Sequence, residues 1–251
     1  MSKVLVTGGT GRLGRLLVPE LGAREHDVRV LSRTAGAGRV VADLADGTGL
    51  DAALRGAQVV VHAATSGRIK AVDIDGTERL AAAAARAGVE HLVYVSIVGV
   101  DANPLRYYRA KLAAEVLVSR SGLAHTLARG TQFYDLVAAV AERLRIGPVL
   151  LAPTGWRLQP SDPTDFARHL ADRVDAGPAD GITEFGGPQE ATFAELAEAW
   201  HRAKGRSGRI RNIHVPGQAS AAFRAGAQVV AANALLGART WPDWLQARLA
   251  S

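Results

Sequence analysis

The chain has no cysteine, which excludes disulfides, thiolate nucleophiles and cysteine-ligated metals. It has no apolar run of the roughly 18 residues that a membrane-spanning helix needs. The longest candidate, residues 225–237, is broken by Gln228 and Asn233. No membrane partner is expected. The first residues lack the basic, apolar and cleavage regions of a secretory signal, so a cytoplasmic location is expected. Lysine is scarce: Lys3, Lys70, Lys111 and Lys204 are the four among 30 basic residues. The arginines are scattered singly and mixed with acids, so the net charge of +6 does not form the clustered footprint that nucleic acid requires. No nucleic-acid partner is expected. The one dense basic stretch, Arg202 to Arg211, is short, glycine-broken and free of aromatics. It reads as an exposed turn, with attraction of an anionic ligand as the alternative. No two histidines stand at metal-ligand spacing and none is read as clustering with other histidines or acids in a shared pocket, so no metal is expected.

What is present is concentrated at the start. Val4, Leu5 and Val6 make the short apolar run of a buried parallel strand. Gly9, Gly11 and Gly14 follow in the spacing G-x-G-x-x-G, with Gly8 ahead of them and Thr10, Arg12 and Leu13 between. A helix comes next, with Leu13, Leu16, Leu17 and Leu21 near one face. In the context strand–glycines–helix, the first glycines permit a tight turn, the next lets a pyrophosphate approach, and Gly14 lets helix and strand pack closely. The helix start offers free N–H groups and a positive dipole end. A dinucleotide site follows. The second strand, around Val28, Val30 and Leu31, ends in Ser32 and Arg33. No carboxylate, the usual partner of a ribose 2′-hydroxyl, occurs before Asp43. An arginine there suits a 2′-phosphate, and Arg12 is a second candidate, so the expected cofactor is NADPH.

The 251 residues, 48% hydrophobic and 22% charged, are those of an ordinary globular protein with a sizeable core. Further strands are expected at 39–43, 57–64, 91–96 and 125–129. Helices are expected at 50–55, 74–87 and 105–120. This alternation implies βαβ units and an α/β fold, a doubly wound parallel sheet of Rossmann type. Residues 1–150 are expected to form the cofactor-binding core. Residues 151–251 carry Pro153, Pro160 and Pro163, helices near 164–173 and 193–204, and Trp156, Trp200, Trp241 and Trp244. They are expected to form a small substrate-covering lobe and not an independent domain.

Ser96 ends the fifth strand, at the edge where such sheets bind ligands. Tyr107 and Lys111 stand at i and i+4 of the next helix and share a face. A carbonyl receiving hydride needs a proton on its oxygen. A tyrosine is a poor acid/base at neutral pH unless a cation such as Lys111 favours its phenolate. Lys111 can also hold the nicotinamide ribose, and the Ser96 hydroxyl can orient the substrate oxygen. Tyr108, at i, i+3 from Lys111, is the alternative acid. Gln132, Phe133 and Tyr134 fall where a substrate-pocket floor is expected, with Trp156 as a further pocket candidate.

The glycine loop, Ser96, the pair Tyr107/Lys111, the tract Leu92 to Asp101, Arg129 and Thr131 to Phe133 together resemble the short-chain dehydrogenase/reductase superfamily. More narrowly they resemble its atypical, NmrA-like or NAD(P)H-binding branch. The resemblance covers roughly residues 3–170 and implies that Asp43 and Leu44 border the adenine, that Ala63, Ala64 and Thr65 line the cofactor, and that Ser96, Tyr107 and Lys111 form the reductase triad. The Ser-to-Tyr separation of 11 is shorter than the family's usual one. The expected function is an NADPH-dependent oxidoreductase acting on a carbonyl or quinone-like group of a hydrophobic small molecule, as a monomer or homodimer. The alternatives are a non-catalytic NADP(H)-binding redox sensor and, behind it, a nucleotide-sugar epimerase or dehydratase.

Overall fold

Val4, Leu5 and Val6 are completely buried in the computed structural model, which describes residues 1–250. They form the middle of β1 (Lys3–Thr7), whose neighbours on both sides are parallel strands. A strand covered on both faces has no polar side to present, which is why the run does not alternate. The chain continues through α1 (Gly14–Ala23), β2 (Asp27–Ser32), β3 (Arg39–Val41), α2 (Leu50–Leu54) and β4 (Val59–His62). A π-helical turn, Lys70–Ile74, leads directly into α3 (Asp75–Arg86). There follow β5 (His91–Ile97), α4 (Arg106–Ser119), β6 (His125–Gly130) and α5 (Tyr134–Arg143). The remainder is β7 (Arg145–Ile146), β8 (Val149–Pro153), β9 (Arg157–Leu158), α6 (Pro163–Ala176), β10 (Gly181–Gly186), β11 (Ala191–Thr192), α7 (Phe193–Ala203), β12 (Arg209–Ile213), α8 (Gln218–Arg224), β13 (Leu235–Leu236) and α9 (Trp241–Leu249).

Eight strands form one parallel sheet in the order β13-β10-β6-β5-β4-β1-β2-β3. The run 3-2-1-4-5-6 within it is the doubly wound Rossmann order expected from the alternation, with its switch point between β1 and β4. The described residues divide into two compact units. The first comprises Met1–Ser96, Arg106–Arg129 and Ala167–Thr183; the second comprises Ile97–Leu105, Gly130–Phe166 and the chain from Glu184 onward. In the first, Leu5, Val60, Leu92 and Leu127 from the sheet pack with Leu54, Leu80, Ala84, Ala114 and Val118 from α2, α3 and α4. Each leucine or valine side chain among them, removed from water, contributes about 1.5–3 kcal/mol.

The second unit has its own core, where Tyr134, Leu150, Phe193, Leu196, Trp200, Trp241 and Trp244 meet. Its helices α7 and α9 both start with capping boxes, Thr192 with Glu195 and Thr240 with Asp243. The stretch 202–211 is not simply a turn. Lys204 and Arg206 pair with Glu142, and β12 lies parallel to β8 in a three-stranded sheet. Among the described residues, no helix is long and apolar enough to cross a membrane.

Candidate active site

Strand register builds the site. Thr7 pairs with Leu31 on β2 and with His62 on β4, and His62 pairs with Tyr94 on β5. Thr7, Leu31, His62 and Tyr94 therefore stand level on four adjacent strands, which end on this side at Thr7, Ser32, His62 and Ile97. Gly8 adopts a φ of +72°, and a Cβ there would stand 2.7 Å from the backbone of Ala63. A Cβ on Gly14 would stand 2.3 Å from the carbonyl oxygen of Gly8. Both positions require glycine, one for its φ and its neighbour, the other for the close seat of α1 against the loop. The helix start, at Leu13, has no side-chain cap, which leaves its first N–H groups available to an anion.

In front of this loop lies a cleft of about 640 Å³ within the first unit. Of the residues expected to bind cofactor, Gly8, Thr10, Gly11, Arg33, Asp43, Leu44, Ala64 and Thr65 line it. Gly9, Leu13 and Gly14 are buried behind the loop, and Arg12 is exposed away from the lining. Arg15, Arg39 and Arg68 line the cleft without having been singled out in the sequence, as do Ser32 and Thr34. Arg15 is held by a hydrogen bond from Nε to the Thr10 carbonyl, 2.9 Å. With Arg33 they give the cleft four guanidinium groups, against the single carboxylate of Asp43, which accepts a turn bond from Ala45 N–H.

Beneath the loop runs a buried chain of hydrogen bonds. Burial, with the positive charge of Lys111, lowers His62 to about 3, so the ring is neutral. The Thr77 hydroxyl donates to the Asp73 carbonyl (2.8 Å), so it accepts from His62 Nε2–H (2.9 Å). His62 Nδ1 then accepts from the Thr7 hydroxyl (2.6 Å), which accepts in turn from Ala64 N–H (3.3 Å). His62 is thus a fully bonded core histidine joining the ends of β1 and β4 to α3.

Above it stand the candidate catalytic groups. The Tyr107 hydroxyl lies 3.2 Å from Thr65 Oγ1 on the cleft wall. Thr65 Oγ1 donates to Asp73 (2.6 Å), and Ser66 N–H reaches the other oxygen of the same carboxylate (3.3 Å). Lys111 is buried, with its ammonium 4.3 Å from the ring centre of Tyr94. Burial lowers it to about 8, offset in part by Asp73 and Glu115. Tyr107 is raised above its ordinary value by burial, against which the Thr65 hydrogen bond acts and to which the charge of Asp73 adds. The Tyr107 hydroxyl contacts Thr65, and the Lys111 ammonium lies over the ring of Tyr94. Tyr108 is buried in the helix interface, and Ser96 is buried with its hydroxyl unpartnered. Arg129 clamps α4. Its Nε and Nη2 meet the two oxygens of Glu115 at 2.9 and 2.7 Å, both side chains buried.

The candidate pocket residues Gln132, Phe133, Tyr134 and Trp156 all belong to the second unit. Phe133 packs against Phe166, and Gln132 is half-buried. Tyr134 is a core residue whose hydroxyl donates to the Arg239 carbonyl (2.8 Å). Trp156 stacks on Phe223 and donates to Ser220 Oγ (2.8 Å).

The family model described as NAD(P)H-binding matches residues 8–142, more than half of the chain. The chain belongs to this NAD(P)H-binding family, in agreement with the atypical short-chain reductase resemblance and with the glycine cradle. A rice (Oryza sativa subsp. indica) divinyl chlorophyllide a 8-vinyl-reductase is 32% identical over 249 residues, covering 85% of this chain and 61% of the relative. A Streptomyces griseus (4-alkanoyl-5-oxo-2,5-dihydrofuran-3-yl)methyl phosphate reductase is 32% identical over 224 residues, covering 84% of this chain and 77% of the relative. The chain spans less than two thirds of the first curated relatives it matches, 61% of the rice reductase and 23% of an uncharacterized mycobacterial protein. Among solved structures, an Escherichia coli NADPH-dependent quinone oxidoreductase complexed with NADPH superimposes with a TM-score of 0.84 at 20% identity, over 98% of this chain and 99% of that one.

Proposed function

We propose that the chain is an NADPH-dependent reductase that acts on a carbonyl or quinone-like carbon of a hydrophobic small molecule, with Tyr107 as proton donor. The observation that carries this reading is the contact of the Tyr107 hydroxyl with Thr65, a residue of the dinucleotide cleft wall. The residues present fit the cofactor: Gly8 and Gly14 leave a cradle that a Cβ would fill, and the cleft is rich in guanidinium groups. Arg33 and Arg39, at the end of β2 and the start of β3, would grip a 2′-phosphate, and the loop N–H groups and α1 would take the pyrophosphate. Asp43 and Leu44 would border the adenine. NADPH, when bound, supplies the hydride. Tyr107 would give its proton to the substrate oxygen, Ser96 would hold that oxygen through its otherwise unpartnered hydroxyl, and Lys111 would hold the ribose and stabilise the phenolate left behind. The reductase names of the relatives support the reaction class.

One observation favours a non-catalytic NADP(H) sensor as the second reading: the Lys111 ammonium lies over the ring of Tyr94, a buried tyrosine outside the proposed mechanism. NADPH oxidation against a panel of quinones, ketones and aldehydes separates the two. The reductase reading predicts turnover by wild type, its loss by at least about 100-fold in Tyr107→Phe and Lys111→Ala, and its retention in Tyr108→Phe. Full activity of Tyr107→Phe would overturn the role of Tyr107. Tight NADPH binding without turnover on any member of the panel would favour the sensor.

A further inference from the structure

The mechanism just described leaves Asp73 unused, although it is a carboxylate with 1% of its surface exposed, inside the only π-helical segment of the described residues. Such segments often mark functional sites. Every bond to Asp73 fixes it. Its carbonyl accepts from Thr77, which the His62–Thr7 chain ties to the end of β1. Its two carboxylate oxygens take Thr65 Oγ1–H and Ser66 N–H, both from the strap that follows β4 and lines the cleft.

Proton counting then decides what Tyr107 is doing. The Thr65 hydroxyl donates to the Asp73 carboxylate, so its single proton is committed there. Thr65 Oγ1 meets Tyr107 at 3.2 Å with no proton left to give, so the phenol must be the donor. We infer that Asp73 is a positioning residue: acting through Thr65, it holds Tyr107 as a neutral phenol with its proton directed at the cleft wall. The inference rests on Tyr107 being the acid of the proposed reaction only for its consequence in turnover; the hydrogen-bond arrangement stands apart from it. The consequence is that a substrate oxygen takes the proton only by displacing Thr65 as acceptor. The acid is therefore stored in its protonated state at the cleft wall until an oxygen of greater basicity arrives.

The two ideas are tested separately by following Tyr107 directly in the protein without cofactor. Chains labelled at tyrosine Cζ are titrated by carbon NMR, with the Tyr107 signal assigned from its loss in Tyr107→Phe. Asp73→Asn removes the charge but keeps the shape, and should lower the Tyr107 midpoint by about one pH unit or more. Thr65→Val, which removes the hydroxyl between the two groups, should shift it as well, and Thr65→Ser, which restores the hydroxyl, should return it to the wild-type position. If Asp73→Asn does not fold, the Thr65→Val and Thr65→Ser pair carries the test. Unchanged midpoints in Asp73→Asn, or in Thr65→Val where only that pair can be read, would overturn the inference. Loss of turnover in Tyr107→Phe is the separate test of the acid assignment, and its failure would leave the titration result intact.

Discussion

Arg33 and Arg39 illustrate what a single position can and cannot announce. Arg33 was legible because the glycine loop sets a ruler: the residue that ends the second strand faces the adenosine ribose in this motif. Arg39 lines the same cleft but opens a three-residue strand whose only sequence mark is one more arginine among many. A charge-assisted bond to phosphate is worth about 1.5–3 kcal/mol. Arg33→Ala should therefore raise KM for NADPH by roughly 10- to 100-fold and leave KM for NADH nearly unchanged, as steady-state kinetics with both cofactors would show. Lys111 was legible as a partner of Tyr107 by spacing, but its burial over Tyr94 was not, because side-chain direction is settled by packing. Its value of about 8 in the folded chain, against an ordinary 10.5, means that the unfolded chain holds the proton more tightly. Below pH 8 both states carry the charge, and the fold bears the full cost, roughly 3 kcal/mol at most. As pH rises from 8 towards 10.5 that cost fades and stability increases. Lys111→Met should accordingly be more stable than wild type at pH 7 in denaturant titrations, with the advantage shrinking over that window. A constant advantage across it would contradict the assignment.

At the level of elements, the glycine loop and α1 were readable as one unit because each glycine answers a separate steric demand. Gly14→Ala places a methyl 2.3 Å from the Gly8 carbonyl oxygen, among backbone atoms that cannot yield without displacing the loop. NADPH binding measured by fluorescence should weaken by at least about 100-fold, or some 2.7 kcal/mol. Helix α4 was placed within one residue at each end, since its spacing and the following glycine mark it. Its anchor was not legible: Glu115 and Arg129 form a buried bidentate pair, and nothing in a sequence tells which arginine faces which glutamate. Glu115→Ala should destabilise the protein by about 3–5 kcal/mol in urea titration, because it breaks a buried, bidentate ion pair. The π-helical turn at Lys70–Ile74 escaped for a related reason. It is held by bonds from Asp73 to Thr65 and Ser66, which are tertiary contacts and leave no periodic trace.

For the molecule as a whole, the sheet could be read because strand, turn and helix alternate with strong periodicity through β6. The second unit could not. Its strands β7, β9, β11 and β13 are two residues each, too short for any pattern to show. Its tryptophans are in large part core: Trp241 and Trp244 stack on each other, and Trp200 lies beside them. The hydrophobic character of the proposed substrate therefore draws no support from them. Isotopic transfer shows whether hydride moves from NADPH to a substrate. NADPH carrying deuterium at the reactive C4 position is incubated with the protein and the quinone, ketone and aldehyde panel, and the products are weighed by mass spectrometry. With a ketone or aldehyde the product should carry one deuterium on the former carbonyl carbon; with a quinone, whose hydroquinone O–D exchanges with water, one hydroquinone should form per NADPH consumed. Neither product should form with Tyr107→Phe, and tight binding of NADPH with no reduced product from any substrate would contradict the hydride-transfer reading.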